Sequence, residues 1–330
     1  MGFTAIWISP ITMQIGDSNT YHGYDQSNLY KVNSHFGTAS DLQTLSIDGF
    51  RIDSVQNVEP DFFPDFSSAA GVYCVGEVLN SQSSYVCPYQ DYLDGIINYP
   101  LYFSLISAFE STSGSMTDLA SVYTTLKSSC ADTTLMAPFL ENHDRPRFPY
   151  YTSDTSLIRN AILTTLMSDG PPIIYEGQEY GLSSSGDPYN REAIWLQSGA
   201  YSTTGTYHGF IALVNLIRNQ LIMATSSDSS WSVYKSEIIY SDSHTIALRK
   251  GSAGTQSVTL ITNQGSDGSA YDVTLTTSET GWDVDEDIVE AISCDTGTTN
   301  SGGGFVVSVE SEPQIWLGSS LLSGTGLCGL

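Results

Sequence analysis

The sequence predicts an α/β chain: a parallel βα unit, read as an incomplete barrel, followed by a C-terminal antiparallel β-sandwich. Three observations carry this expectation. Up to about residue 224, short apolar runs end in polar loops and alternate with amphipathic stretches, the pattern of parallel βα units. Beyond about Thr225, runs rich in Val, Ile, Thr and aromatics are punctuated by Gly, Ser, Asp and Asn, with no convincing helix between them. Finally, three of the early apolar runs end in a carboxylate, where parallel barrels place their chemistry.

In chain order, the strand candidates of the first unit are residues 3–9, 49–53, 71–78, 95–99, 136–141 and 172–175. Most are almost wholly apolar, as strands covered on both faces should be. Between the first two, Thr38-Ala39-Ser40-Asp41 reads as a helix start, with Thr38 as cap and Asp41 three positions on. That helix would occupy residues 41–46 and run straight into the next strand. It is short against the usual ~10–14 residues and has no connecting loop, so material is expected to be missing near Ser46/Ile47. The sandwich strands are expected at residues 231–240, 244–249, 257–262, 271–276, 305–309 and 314–317. The division is therefore 1–224, a partial barrel, and 225–330, an all-β unit. Residues 296–304, rich in Ser, Gly and Thr, read as a loop.

Composition narrows the function classes. Eleven Lys and Arg against 36 Asp and Glu leave a net charge of −25. That field repels nucleic acid and anionic membranes, but it does not hinder a neutral substrate such as a sugar. No apolar run approaches the roughly 18 residues of a membrane span. The five cysteines are an odd count with no Cys-x-x-Cys or zinc spacing. No Asn-x-Ser/Thr site occurs. The chain opens in an apolar run, Gly2-Phe3-Thr4-Ala5-Ile6-Trp7-Ile8-Ser9-Pro10, rather than in a basic leader, so it is expected to begin inside a domain.

The three strand-end carboxylates are Asp53 in Phe50-Arg51-Ile52-Asp53, Glu77 in Val75-Gly76-Glu77-Val78, and the acids of Glu141-Asn142-His143-Asp144. One such acid is ordinary. Three converging on one mouth concentrate negative charge at a cost that needs a purpose. Retaining glycoside cleavage needs such a set: an ionised nucleophile and a protonated acid about 5 Å apart. Strand alternation puts Arg51 on the face of Asp53, where it can keep that carboxylate ionised. Glu77 follows an apolar strand, and burial there would hold its proton.

These segments resemble the signature regions of the α-amylase family, glycoside hydrolase family 13, most of all the fungal secreted α-amylases. The resemblance rests on Gly49-Phe50-Arg51-Ile52-Asp53, Gly76-Glu77-Val78-Leu79 and Glu141-Asn142-His143-Asp144-Arg145-Pro146-Arg147-Phe148. It continues through Tyr99-Pro100, Thr112-Ser113-Gly114-Ser115-Met116, Pro172-Ile173-Ile174-Tyr175 and Asn190-Arg191-Glu192-Ala193 to Ile246-Ala247-Leu248-Arg249-Lys250-Gly251. It implies a TIM (β/α)8-type barrel, here with about six of eight strands and without the loop domain B. It implies Asp53 as nucleophile, Glu77 as general acid/base and Asp144 as transition-state stabiliser. Arg51 and His143 would contact the reacting glucose, and Tyr24, in Tyr21-His22-Gly23-Tyr24, would stack on it. Asp187 and Arg191 would bind glucose units on the non-reducing side. The family pattern also pairs Cys87 with Cys130 and Cys294 with Cys328, which together with the resemblance points to an extracellular protein. The partner implied is an α-glucan polysaccharide or oligosaccharide, met by a monomer.

The departures from the family are as informative. The first barrel strand would precede Met1, and the third, with the loop domain behind it, would be lost at Ser46/Ile47. Gln56-Asn57 stands where the family usually has Lys-His, on the acceptor side of the cut. The His position also helps bind calcium in the family, so calcium is implied as cofactor while most of its ligands are absent here. Hydrolysis of internal α-1,4-glucosidic bonds of starch- or glycogen-type glucans is the leading expectation. A 4-α-glucanotransferase, suggested by Gln56-Asn57, and an inactive remnant that only binds glucan are the alternatives. Of the other residues, His35, His208, Cys74, Glu176 and Glu179 are read as structural or peripheral, and Trp7 and Trp195 as packing.

Overall fold

A computed structural model describes residues 1–16, 22–44, 46–199, 201–225 and 230–330. Tyr21 of the Tyr24 motif and Leu45 beside the irregular junction lie outside the described residues. The chain opens with an antiparallel pair, β1 (Thr12–Gln14) and β2 (Gln26–Val32). Helix α1 (Ala39–Thr44) follows with the expected cap: Asp41 N–H donates to Thr38 Oγ1 at 3.2 Å, and Thr38 N–H donates back to Asp41 at 2.8 Å.

The parallel sheet is β3 (Gly49–Ile52), β4 (Tyr73–Gly76), β5 (Gly95–Ile97) and β6 (Met136–Ala137), hydrogen-bonded in that order. Its crossovers carry α2 (Phe62–Ala70) before β4, the short α3 (Ser83–Val86) before β5, and α4 (Tyr99–Phe109) and α5 (Met116–Ser129) before β6. Local chemistry sets their ends. Asn98 and Ser115 cap α4 and α5 by accepting the Leu101 and Asp118 amides. Gly71, at φ 65°, closes α2 in the left-handed region. Helices α6 (Thr155–Met167) and α7 (His208–Met223) complete the unit.

Three strand expectations of the first unit are corrected. Residues 3–9 run without strand pairing, and Ile6 is 89 % exposed, because no neighbouring strand offers its hydrogen bonds there. Residues 172–175 make only a single parallel bridge, Phe139 to Ile173. The strand expected over residues 136–141 is likewise curtailed after Ala137, where Pro138 removes a ladder donor.

The C-terminal unit has a six-stranded antiparallel sheet and a two-stranded one. In chain order its strands are β7 (Glu237–Ser241), β8 (Thr245–Lys250), β9 (Ser257–Thr262), β10 (Tyr271–Leu275), β11 (Asp287–Glu290), β12 (Thr296–Thr298), β13 (Phe305–Val309) and β14 (Gln314–Gly318). β10 pairs with β13, and the other six form the larger sheet. A four-residue helix, α8 (Thr277–Thr280), and the strands β11 and β12 were not foreseen, and residues 296–298 are strand rather than loop. Residues 231–233 form a helical turn, so the first sandwich strand starts at Glu237.

Ala247, Leu260, Val273, Trp282, Val307 and Trp316 pack between the two sheets. A larger apolar cluster runs from Val55 and Ile96 through Leu163 and Ile211 to Ile246, Ile261 and Ile315, joining the two units. Polar contacts pin the same boundary. Asn160, fully buried on α6, accepts the Thr262 amide at 2.8 Å and donates to the Ser311 carbonyl at 2.9 Å. Lys250 meets Asp169 at 2.6 Å. Cys87 is bonded to Cys130 and Cys294 to Cys328, as the resemblance implied, and Cys74 is buried and free.

Candidate active site

The C-terminal ends of β3 and β4 bring two carboxylates to one guanidinium. Arg51 points inward from β3, its Nη1 against Asp53 and its Nη2 3.0 Å from Glu77 Oε2. Trp7 lies under the same guanidinium, 5.0 Å from ring centre to Cζ. The two acids differ in surroundings: the Asp53 side chain is 47 % exposed and that of Glu77 6 %. Glu77 accepts from Tyr99 Oη at 2.8 Å and from the Ser54 amide at 3.2 Å. Gly76, the residue before it, packs against Leu93 and Val55, with which a Cβ would collide. Burial pushes the Glu77 carboxyl above its ordinary pKa, against the opposing pull of Arg51, Tyr99 and the Ser54 amide.

The segment after β6 supplies the third acid. Asp144 contacts Arg191 Nη2 at 3.1 Å and His143 Nε2 at 3.2 Å. Arg191 also meets Asp187 at 2.8 Å and donates to the His143 carbonyl at 3.0 Å. Tyr24 lies parallel to the His143 ring, at 5.6 Å between centroids and 5° between planes, and its hydroxyl is 2.9 Å from Nε2. Burial lowers the His143 pKa, with Arg51 and Arg191 acting in the same direction against Asp144. The ring is thereby biased toward its neutral form, which can accept as well as donate.

Every sequence-predicted site residue thus falls into one connected group. Asp53, Glu77 and Arg51 form one half; Asp144, His143, Tyr24, Arg191 and Asp187 form the other. Trp7 bridges them, edge-on to His143 at 6.1 Å. Its packing role therefore falls inside the site. Trp195 is 63 % exposed and packs far less than expected. Gln56 accepts the Leu79 amide at 2.6 Å, tying together the loops after β3 and β4, while Asn57 is exposed. His35 is exposed, His208 opens α7, Glu176 is exposed, and buried Glu179 accepts the Gly177 amide. Tyr99 and Asn142 were singled out only as parts of motifs. Tyr99 opens α4 shortly after β5, and Asn142 lies in the loop beyond β6.

Comparisons with known proteins establish the family. The model for the alpha amylase catalytic domain matches residues 1–48 and 44–198, and that for alpha-amylase domain C matches residues 238–330. The chain belongs to the α-amylase family. It is 37 % identical to alpha-amylase 2 of Schwanniomyces occidentalis, covering 99 % of this chain and 83 % of that one, in an alignment of 428 positions against the 330 residues present here. It is 36 % identical to the alpha-amylase of Saccharomycopsis fibuligera, over 96 % of this chain and 82 % of that one. The solved alpha-amylase of Malbranchea cinnamomea superposes with a TM-score of 0.91 at 32 % identity, covering 98 % of this chain and 87 % of that one. The chain is thus an α-amylase-like glycoside hydrolase by descent. The two pieces of the catalytic-domain match meet at residues 44–48, the junction where the helix pattern breaks off.

α-Amylases generally bind calcium. Among the described residues no three His, Cys, Asp or Glu side chains converge on a common point. The described residues therefore offer no calcium site built on three such side chains, and the chemistry below uses none.

Proposed function

We propose that this chain acts as a retaining α-amylase-type hydrolase of internal α-1,4-glucosidic bonds. The observation that carries the reading is the single guanidinium of Arg51 shared by a half-exposed and a buried carboxylate. It gives two acids different tasks. Asp53, paired to Arg51 and open to the cleft, is the nucleophile. Glu77, buried and biased toward its protonated form, is the acid. In the first step Asp53 attacks the anomeric carbon, the glycosidic C–O bond breaks, and Glu77 gives its proton to the departing oxygen. In the second, Glu77 takes a proton from water, whose oxygen attacks the same carbon and frees Asp53. Asp144, held between Arg191 and His143, stabilises the positive charge that develops on the ring. Tyr24 offers a flat face to the reacting sugar, and Asp187 and Arg191 hold glucose units on the non-reducing side.

We further take residues 1–224 as the catalytic unit and 225–330 as its all-β companion. The segment that relatives carry and this chain lacks is assigned to residues 44–48, supported by the divided match there. Two disulfides favour an oxidising, extracellular setting. The test is release of reducing ends from maltooligosaccharides by the purified chain and by Glu77→Gln, Asp53→Asn and Asp144→Asn. Each substitution should lower kcat by about 10²- to 10⁴-fold, the scale of removing a positioned acid or charge stabiliser. Cleavage undiminished in Glu77→Gln would end the proposal.

A further inference from the structure

The acid/base carboxylate and the third acid sit on different strand ends, yet one buried hydrogen-bond thread joins them. Tyr99, the first residue of α4, is fully buried. Its hydroxyl donates to Glu77 Oε1 at 2.8 Å and accepts from Asn142 Nδ2 at 3.0 Å. The other end of the Asn142 amide, Oδ1, accepts the backbone N–H of Asp144 at 3.0 Å. The Asn142 carbonyl in turn accepts from Asn190 Nδ2 at 3.3 Å, one residue before the Arg191 that grips Asp144. Every side chain in this thread is buried. The ring of Tyr99 stands edge-on to Phe139 at 4.9 Å, which fixes where the hydroxyl points.

We infer that Tyr99 and Asn142 are positioning residues: they hold Glu77 and the Asp144 backbone in fixed relation and set how tightly Glu77 keeps its proton. The inference rests on Glu77 being the acid of glucan cleavage. The physical argument runs through donor and acceptor roles. Burial and the neighbouring Glu77 charge raise the Tyr99 pKa, so its oxygen keeps its proton and stays a donor to the carboxylate. Asn142 donates into the same oxygen, which polarises the O–H and strengthens that donation. A donor to the ionised carboxylate favours the ionised form. Tyr99 therefore restrains the upward push that burial exerts on Glu77. The other groups facing Glu77 are Arg51, the Ser54 amide and Asp53, all from the end of β3. None of them would change when the tyrosine hydroxyl is removed.

The experiment is an infrared titration of the protonated-carboxyl band that disappears in Glu77→Gln, compared between the parent chain and Tyr99→Phe. The phenyl ring preserves the packing on Phe139 while deleting the hydroxyl. Loss of one charge-assisted donor should raise the midpoint by about one to two pH units. The basic limb of kcat/KM on maltooligosaccharides should move up by the same amount. Asn142→Leu should raise the midpoint less, by about 0.2 to 0.5 of a unit, because Tyr99 remains while its polarising partner is lost. A midpoint unchanged or lowered in Tyr99→Phe overturns the inference. If that variant does not fold, an unchanged midpoint in Asn142→Leu does so instead. The infrared midpoint needs no turnover, so a failure of the catalytic reading, seen as cleavage undiminished in Glu77→Gln, is recorded separately.

Discussion

Arg147→Met removes the most deeply buried cation near the site, and its cost can be worked from the contacts. The Arg147 side chain is fully buried and lies 4.5 Å above the Tyr175 ring. It reaches Glu141 at 3.2 Å, Glu192 at 2.7 Å and the Glu176 carbonyl at 2.8 Å. Methionine replaces part of the stem volume and leaves Glu141, 1 % exposed, without a counter-charge. Breaking a buried pair in this way costs about 3–5 kcal/mol, a large share of the roughly 5–15 kcal/mol that holds a domain folded. The cost should also depend on pH. Burial pushes Glu141 up from 4.5 to about 7, against the pull of Arg147. The folded chain then holds this proton more tightly than the unfolded one, so the parent loses stability as pH rises from about 4.5 to about 7 and no further above it. Without Arg147 the folded pKa rises beyond 7 and the decline continues. With a variant pKa at or above 8, the extra pH unit adds about 1.4 kcal/mol to the loss at pH 8 compared with pH 5.5. Urea unfolding followed by tryptophan fluorescence at the two pH values measures it. Adding Glu141→Gln to Arg147→Met should recover most of the pH-dependent part. Losses equal within about 0.5 kcal/mol at both pH values, or no recovery with Gln, would refute the reasoning.

Two further outcomes test the frame around the site. Replacing Cys87 and Cys130 by alanine opens a crosslink spanning 43 residues, which in the chain-entropy model costs about 4 kcal/mol; a urea-measured loss below about 1 kcal/mol would show that the crosslink contributes little. Asn160→Leu leaves the Thr262 amide and the Ser311 carbonyl without their buried partner. A loss of about 2–4 kcal/mol in urea is expected, and a near-neutral variant would show that this contact does not help join the two units.

The candidate site was legible because its residues lie in short, local strings. Asp53 stands one position past the end of β3 and two from Arg51, and Glu77 follows directly on β4. The Thr38–Asp41 cap was readable for the same reason: both partners lie within one helical turn. Residues 3–9 misled because apolar composition marks a segment that could be a strand, whereas being one requires a neighbour to supply hydrogen bonds. The strands β11 and β12 escaped notice because they are four and three residues long, too short for alternation to emerge.

By itself, then, the sequence singled out three candidate carboxylates near strand ends and the order of a parallel unit followed by an antiparallel one, both written in residue types and in periods of a few positions. The reaction class it indicated through the resemblance of those segments to the α-amylase family. Only the tertiary structure decided that one guanidinium serves both Asp53 and Glu77, that Trp7 lies beneath it, and that Tyr99 and Asn142 thread Glu77 to Asp144. Those contacts join residues as far apart in the chain as Trp7 and Arg51 or Tyr99 and Asn142, and only the packing of strand ends around a shared mouth brings them together.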